Sequence, residues 1–527
     1  MPKKSKSNLR IIQENLFQHP QEGITQTIKK IYQENKIELG KPKGEKKIYP
    51  DISRENTYAI VGAMLGDEGK GRLVDNKIEE LLSKKGIKNV AVIRFQGGNN
   101  AGHTLEKGDL RIALHLVPSG IFHEKAIGIM DRGMVIHPED LQTEIEYIEK
   151  NTQSLEKRLF LSEDAILCTD LERAEEALNR IKKGDARGGT GRGVGPAYAH
   201  HYDRLGLKIY HLTSDKWETN LGEQYDRYKK EFSCFGINLF LCEVPDFRGF
   251  VKEKKAKLRT VGTKKEFLER LRIARDFLLK RKIITNIFNL HEKIYNDDSF
   301  AVLFEGSQAA GLDAWLGTRP DVTSSNTSVY GVREGTAFWL PFMIKERIGV
   351  FKIPYTSSVG ARKMPTHINL PKDLSDLPKN ATNDQKWAAY VRDQANEYGT
   401  TTGRPRDINF LDLPFLAYNA RMSGIETLVG THLDISKEEY FIKVCTHYKD
   451  QKGNYIPYQP GLGHQNGVIP NYVELPGWDG KKCQKAKKTS DLPINALKFL
   501  SFIQARTGFP IVTVTTGPKR ENIINLN

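Results

Sequence analysis

The sequence predicts an α/β fold with a large, mostly parallel central sheet flanked by helices. Two observations carry this. From Thr57 onward, short apolar runs rich in β-branched residues alternate with helical stretches, the pattern of parallel strands joined by helical crossovers. The first run also leads through a glycine-rich turn into a helix, the junction at which an open parallel sheet presents its strand ends to a ligand. In chain order the candidate strands are YAIVGAML at 58–65, VAVIRF at 90–95, FAVLF at 300–304, IGVFKI at 348–353, TLVG at 427–430, YFIKVC at 440–445 and IVTVTT at 511–516. A helix from about Gly71 to Lys85 follows the first of them, and no internal repeat is visible.

The composition narrows the function classes. With 527 residues, 39% of them hydrophobic, the chain has the material for one large or two ordinary domains, which excludes disorder throughout. Its 45 Gly and 23 Pro show no three-residue period, which excludes a fibre. No run approaches the ~18 apolar residues of a bilayer helix, and MPKKSKSNLR lacks an apolar segment behind it, so neither a membrane span nor a classical export signal is expected. The five cysteines (Cys168, Cys234, Cys242, Cys445, Cys483) are sparse and never spaced as CxxC. That argues against a disulfide framework or a zinc site and for a reducing, cytoplasmic setting.

The net charge of +15, from 80 basic against 65 acidic residues, fits anionic substrates, nucleic acid or a decorated surface. Residues 1–55 read as a basic N-terminal extension, partly helical or flexible, ahead of a folded domain over 56–527. A second basic segment, Val251 to Lys282, places Phe267, Leu268, Leu271, Ile273, Phe277 and Leu278 at roughly helical spacing, so its charges are expected to coat an amphipathic helix. Neither segment interleaves aromatic and basic residues as a stacking platform does. Nucleic acid binding therefore has no positive support.

The glycine-rich turn reads Gly66-Asp67-Glu68-Gly69-Lys70-Gly71. Backbone N–H groups and a helix N-terminus aimed at an anion suit a phosphate. It is not a Walker A loop, which would need Gly at Met64 and Ser or Thr at Gly71. Asp67 is out of place in such a loop, since a carboxylate repels phosphate unless it holds Mg²⁺ or takes a proton from the substrate. A second loop follows VAVIRF: Gln96-Gly97-Gly98-Asn99-Asn100-Ala101-Gly102-His103-Thr104. Its small residues admit close approach, and Asn100 and His103 offer directed hydrogen bonds to a planar ring or a phosphoryl oxygen.

Together these two loops resemble adenylosuccinate synthetase. Further matches follow in that family's order: HLVPSGI at 115–121, LSEDA at 161–165, GTGRGVGPAY at 189–198, FEGSQ at 304–308, VTSSNT at 322–327, TTTGRPR at 400–406, THLDIS at 431–436 and TTGP at 515–518. The resemblance covers about residues 57–527, with a helical, poorly matched segment at about 207–295. It implies a P-loop-NTPase-like core and a ligase that joins L-aspartate to IMP at the expense of GTP, through 6-phosphoryl-IMP, as a homodimer with one Mg²⁺ per active site.

By the same resemblance Asp67 is the base and, with the Gly102 backbone, a metal ligand, while His103 and Lys70 serve the transferring phosphoryl group. IMP would be held by Asn100, Thr190, Gln308, Thr323 and Arg404, with Arg204 reaching across the dimer. Aspartate would be held by Thr401, Thr402 and Arg404. GTP would be held by Gly66, Glu68, Gly69, Lys70, Gly71, Gly102, His103, Thr104, Arg406, His432, Asp434, Thr515 and Gly517.

The chain departs from the family pattern at several places. Leu65 stands where a Trp is usual, Gly189 for a Thr, Pro405 for an Arg, and His432 for the Lys of a KLD triplet. Residues Gly360-Ala361-Arg362-Lys363-Met364-Pro365-Thr366-His367 replace a GPFPTE-like loop. These leave ATP as a rival donor and the amine substrate open to change. The retained Asp67 favours IMP over dGMP, which a phage branch lacking that Asp uses. A scaffolding or nucleic-acid-binding homologue is the alternative of another class.

Overall fold

The computed structural model describes residues 54–107, 110–183, 189–248, 257–336, 338–358, 364–399 and 403–526. The N-terminal extension, residues 251–256 of the second basic segment, residues 360–363, and Thr401 and Thr402 lie outside the described residues, and of Thr104 only the backbone is described.

A ten-stranded sheet forms the centre. Its strands are β1 (Thr57–Gly62), β2 (Asn89–Arg94), β3 (Ala126–Met130), β4 (Leu159–Ser162), β5 (Ile284–Thr285), β6 (Phe300–Ala309), β7 (Glu346–Lys352), β8 (Thr427–Thr431), β9 (Ile511–Thr515) and β10 (Ile523–Asn525). They lie in the order β5-β4-β3-β2-β6-β1-β7-β8-β9-β10. Every neighbouring pair is parallel except β9 with β10. β1 is buried at every position, as expected of a parallel strand covered on both faces. Tyr58 pairs with Leu303 on one side and Glu346 on the other.

Helix α1 (Lys70–Ser83) lays Leu73, Val74, Ile78 and Leu81 on Ile60, Val90 and Val92. A second, mixed sheet orders Tyr355–Ser358, Asp407–Asp412, Phe441–Lys449 and Tyr455–Ile456, with Ile469–Pro476 also paired to Phe441–Lys449. This corrects one expectation, because YFIKVC belongs to that second sheet. Another correction concerns YAIVGAML, whose strand ends at Gly62 rather than Leu65. The strand ends at a tightly packed glycine: a Cβ on Gly62 would sit 2.6 Å from the Ala309 Cβ and 2.6 Å from Glu68 Oε2.

The segment 207–295 is mainly helical, with helices Ile209–Thr213, Trp217–Ser233, Lys264–Lys280 and Ile287–Tyr295, but it also holds the hairpin Glu243–Asp246/Lys257–Thr260 and β5. The helix Lys264–Lys280 starts at a capping box. Glu266 Oε2 accepts from the Thr263 N–H at 2.8 Å, and Thr263 Oγ1 accepts from the Glu266 N–H. It buries Phe267, Leu271, Ala274 and Leu278, with Leu268 and Phe277 packed beside them. Ile273 departs from the expectation, being 56% exposed, because two residues beyond Leu271 the helix has turned to its outer face.

Candidate active site

The loops of interest all leave the carboxyl ends of parallel strands: 63–69 after β1, 95–102 after β2, 310–327 after β6, 432–434 after β8 and 516–518 after β9. β6 lies between the sequential strands β1 and β2, and such a break in strand order opens the crevice where α/β sheets bind ligands.

In the first loop Gly66, Asp67 and Gly69 all have positive φ. Glu68 is buried, and its Oε1 accepts from the Gly66 N–H at 2.7 Å and the Met64 N–H at 3.3 Å. Its Oε2 pairs with Lys70 Nζ at 2.9 Å. Both side chains thus face inward. Asp67 faces outward, 42% exposed, and its Oδ2 accepts from Arg406 Nη2. The other end of the same guanidinium, Nη1, donates to Glu397 Oε2 at 2.8 Å. Burial works against the Arg406 charge, but Asp67 and Glu397 more than offset it and raise its pKa.

The second loop meets the first where α1 begins: a Cβ on Gly71 would lie 3.1 Å from the His103 Cβ. His103 is buried, with Nδ1 on Glu305 Oε1 and Nε2 facing the Ser307 carbonyl at 3.4 Å. Burial disfavours the Glu305 carboxylate, yet His103, Arg94 and the Ser119 hydroxyl hold its pKa down to about 2. Asn100 Oδ1 accepts from the Gly98 N–H and from Gln308 Nε2, each at 3.2 Å. This places Gln308 of β6 beside the loop. The approach requires glycine at 97, which has φ +80° and whose Cβ would come within 2.8 Å of Ser307.

Two more motifs tie to this loop. The Tyr198 hydroxyl accepts from the Gly97 N–H at 2.9 Å and donates to the Gly133 carbonyl at 2.6 Å. Ser325 Oγ donates to Gln96 Oε1 at 2.9 Å, and nearby the Thr323 N–H donates to the Leu312 carbonyl at 2.7 Å. Thr190 is exposed in a loop held by Glu176, whose oxygens accept from the Gly191 and Gly193 N–H groups at 2.9 and 2.6 Å. A Cβ at Gly189 would fall 1.9 Å from Glu176 Oε1, so a Thr there would require the Glu176 carboxylate to shift. Arg204 is exposed at φ +69° between exposed Tyr202 and Leu205.

The structure therefore brings Asp67, Arg406, Lys70, Gly71 and His103 together, and separately Asn100 with Gln308. Arg404 is exposed, with its carbonyl accepting from the Gly399 N–H at 2.7 Å. A Cβ on Gly102 would meet nothing within 4 Å, so there is room on that side of the residue.

On the far side, His432 has φ +62° and its Nδ1 lies 2.9 Å from Thr431 Oγ1. Burial, and next Lys352, push its pKa down to about 3, so its ring is neutral at physiological pH. Asp434 Oδ2 accepts from Gln484 at 3.1 Å, and burial raises its pKa. The Leu433 N–H donates to the Thr515 carbonyl at 3.1 Å, and Arg72 donates to the Gly517 carbonyl. Thr515 Oγ1 is buried with no hydrogen-bond partner. Glu305, Glu397, Lys352 and Tyr355 were not singled out from sequence. Glu305 lies within FEGSQ and Glu397 three residues before TTTGRPR, so motif proximity was the available signal.

Paired glycine loops at a break in strand order, with an outward carboxylate and an acid-oriented imidazole between them, define an α/β enzyme that handles phosphorylated nucleotides. Comparison with known proteins makes this specific: the family model for adenylosuccinate synthetase matches residues 59–524, and the chain belongs to that family. The adenylosuccinate synthetase of Aquifex aeolicus is 34% identical over 470 residues, 88% of this chain and 96% of its own. That of Hahella chejuensis is 33% identical over 469 residues, 89% and 97%.

Among solved structures, the fully ligated enzyme from Plasmodium falciparum superposes with a TM-score of 0.73 at 28% identity, covering 90% of this chain and 100% of that one. A cyanophage S-2L succinoaminodeoxyadenylate synthetase bound to dGMP and dATP matches with a TM-score of 0.50 at 15% identity, over 89% and 95%, a likeness of fold alone. The chain is accordingly a GTP-dependent ligase of purine biosynthesis, at the step from IMP to adenylosuccinate.

Proposed function

We propose that Asp67 is the base of this ligase and that IMP, L-aspartate and GTP meet between the two glycine loops. The chemistry sets the requirements. The C6 oxygen of hypoxanthine leaves poorly, so aspartate can replace it only after the oxygen has been phosphorylated. For that oxygen to attack a γ-phosphate, N1–H must give up its proton to a nearby carboxylate. The observation that carries the reading is the orientation of Asp67, half-exposed and outward while its neighbours Glu68 and Lys70 turn in.

His103, oriented by Glu305, donates to the transferring phosphoryl oxygens as charge develops there. Lys70 is also assigned to the transferring phosphoryl group, toward which its ammonium must turn from the pairing with Glu68. Asn100 and Gln308 present amides to the purine, with Thr190, Thr323 and Arg404 around the nucleotide. Thr401, Thr402 and Arg404 receive the two carboxylates of aspartate. Arg406, His432, Asp434, Thr515, Gly517 and the backbone of 66–71 and 102–104 face the donor, where the Asp434 carboxylate accepts from guanine N1–H and N2–H₂. The amine of aspartate then attacks C6, and phosphate leaves.

A single Mg²⁺ fits here. Asp67 supplies a hard oxygen ligand that is 42% exposed, and there is room beside Gly102, where an added Cβ would meet nothing within 4 Å. When bound it neutralises charge on the donor phosphates. Another group of donor atoms close enough to share an ion, His137, Glu139 and Asp170, already has its acids paired with Arg259 and Arg270. The homodimer is supported by Tyr202 and Leu205, 73% and 53% exposed beside Arg204. Among the described residues no helix is long and apolar enough to cross a membrane, and buried free thiols at Cys168, Cys445 and Cys483 suit a reducing cytoplasm.

Purified protein with IMP, aspartate, GTP and Mg²⁺ is expected to give adenylosuccinate, read by absorbance and product mass. A panel including dGMP and ATP tests the alternatives. Product from dGMP alone or with ATP alone would overturn the assignment.

A further inference from the structure

A buried acid beside Arg406 has no task in the steps above. Glu397 is 1% exposed, and its two oxygens take three side-chain donors. Lys352 Nζ at 2.5 Å and the Tyr355 hydroxyl reach Oε1, and Arg406 Nη1 at 2.8 Å reaches Oε2. Burial alone would favour a neutral Glu397, but Lys352 and then Arg406 hold its pKa well below the usual carboxylate range.

Two of the three donors lead on to residues assigned to the site. Arg406 carries on to Asp67 through Nη2. Lys352, the last residue of β7, also donates to Ser357 Oγ at 2.7 Å. The Tyr355 ring stands edge-on to His432, with centroids 5.8 Å apart. The backbone locks the pair in place, since the Arg406 N–H donates to the Glu397 carbonyl at 2.9 Å and Tyr398 bridges to Pro405. Two buried cations would repel one another across this space without the carboxylate between them.

We propose that Glu397 is a positioning residue for phosphoryl transfer. By holding one nitrogen of Arg406 it sets how the other meets Asp67, and through Tyr355 it joins that contact to the loop carrying His432. Glu397 touches no substrate in this scheme. The inference rests on the reading of Asp67 as base.

The test is a kinetic comparison of Glu397→Gln, Glu397→Asp, Arg406→Met and the double variant Glu397→Gln/Arg406→Met, with melting temperatures alongside. Glu397→Gln keeps the shape and removes the charge. Its kcat is expected to fall about 30-fold, the scale of a small misplacement of a reacting group, with the KM for IMP within about threefold of wild type. Glu397→Asp is expected to recover part of the loss. In the Arg406→Met background the Gln substitution is expected to cost less than about threefold more, because residues that act through one another do not add.

Additive losses, or a rise in KM with kcat unchanged, would overturn the proposal. If Glu397→Gln does not fold, Tyr355→Phe removes one hydrogen bond from the same carboxylate. A kcat loss of about three- to tenfold supports the inference, and wild-type kcat refutes it. Wild-type protein inactive on IMP, aspartate and GTP would remove both readings. Activity that dies in Asp67→Ala but survives intact in Glu397→Gln would remove this one alone.

Discussion

The ligand loops of the central sheet and the helical segment 207–295 differ in what fixes their residue types. In the loops the stabilising partners are often neighbours in the chain: Glu68 bonds the N–H groups of Met64 and Gly66, and Asn100 bonds that of Gly98. In the helical segment the more buried polar partners are remote. Arg259 reaches Glu139, 120 residues away, and Asp170, 89 away, and Arg270 reaches Asp170 from 100 residues away. Gln224 and Tyr228 reach Glu172, and Tyr228 also reaches Glu175. Phe267, Leu271 and Leu278 share a core with Leu141, Ile145 and Leu171. Chemistry constrains residue type at the loops, whereas packing in the helices requires only a face of suitable size and charge. Motifs are therefore visible in one region and absent in the other.

Substitutions separate the two regions. Asp67→Ala, at the loop end, is expected to lower kcat by about 10³-fold or more, roughly 4 kcal/mol of transition-state stabilisation, with the melting curve unchanged. Near-normal turnover in a steady-state assay would break the contrast at its strongest point. Phe267→Ala, in the helical segment, is expected to do the reverse, costing about 3 kcal/mol of unfolding free energy in denaturant titration and leaving kcat of the folded fraction intact.

Arg259→Met strips one cation from Glu139 and Asp170. Asp170 keeps Arg270 and Arg173, so the expected loss is nearer 2 kcal/mol, again without a change in kcat. The smallest effect is the pH dependence of His200. Its hydrogen bond to Glu175 raises its pKa to about 9, above the unfolded value of about 6.5. The folded state therefore binds the proton more tightly, and the stabilisation is fully present below pH 6.5 and lost as pH rises through 9. His200→Gln is expected to flatten thermal stability across that window, and an unchanged slope would sever the tie between the 194–202 helix and Glu175.

The same contrast explains what could be read beforehand. Parallel strands and the two glycine loops were legible because apolar runs and turn residues signal locally. Asp67 stood out because it conflicts with its own loop. Which sheet a strand joins is not a local property, and Phe441–Lys449 has the same apolar texture whether it lies in the central sheet or beside it. Nor could the partner of Asp67 be read, since Arg406 lies 339 positions away and nothing between them marks the encounter. Ile273 was misplaced for a simpler reason: an apolar residue on the outer face of a helix looks like one on the inner face unless the turn is counted from a known anchor.

Glu68 gives the first loop one last property. A turn already shaped around its own anion has little freedom left to surrender when a nucleotide arrives. Capture at this end of the molecule is then governed by encounter rather than by folding of the receptor, and its heat-capacity signature is expected to be small for the area covered.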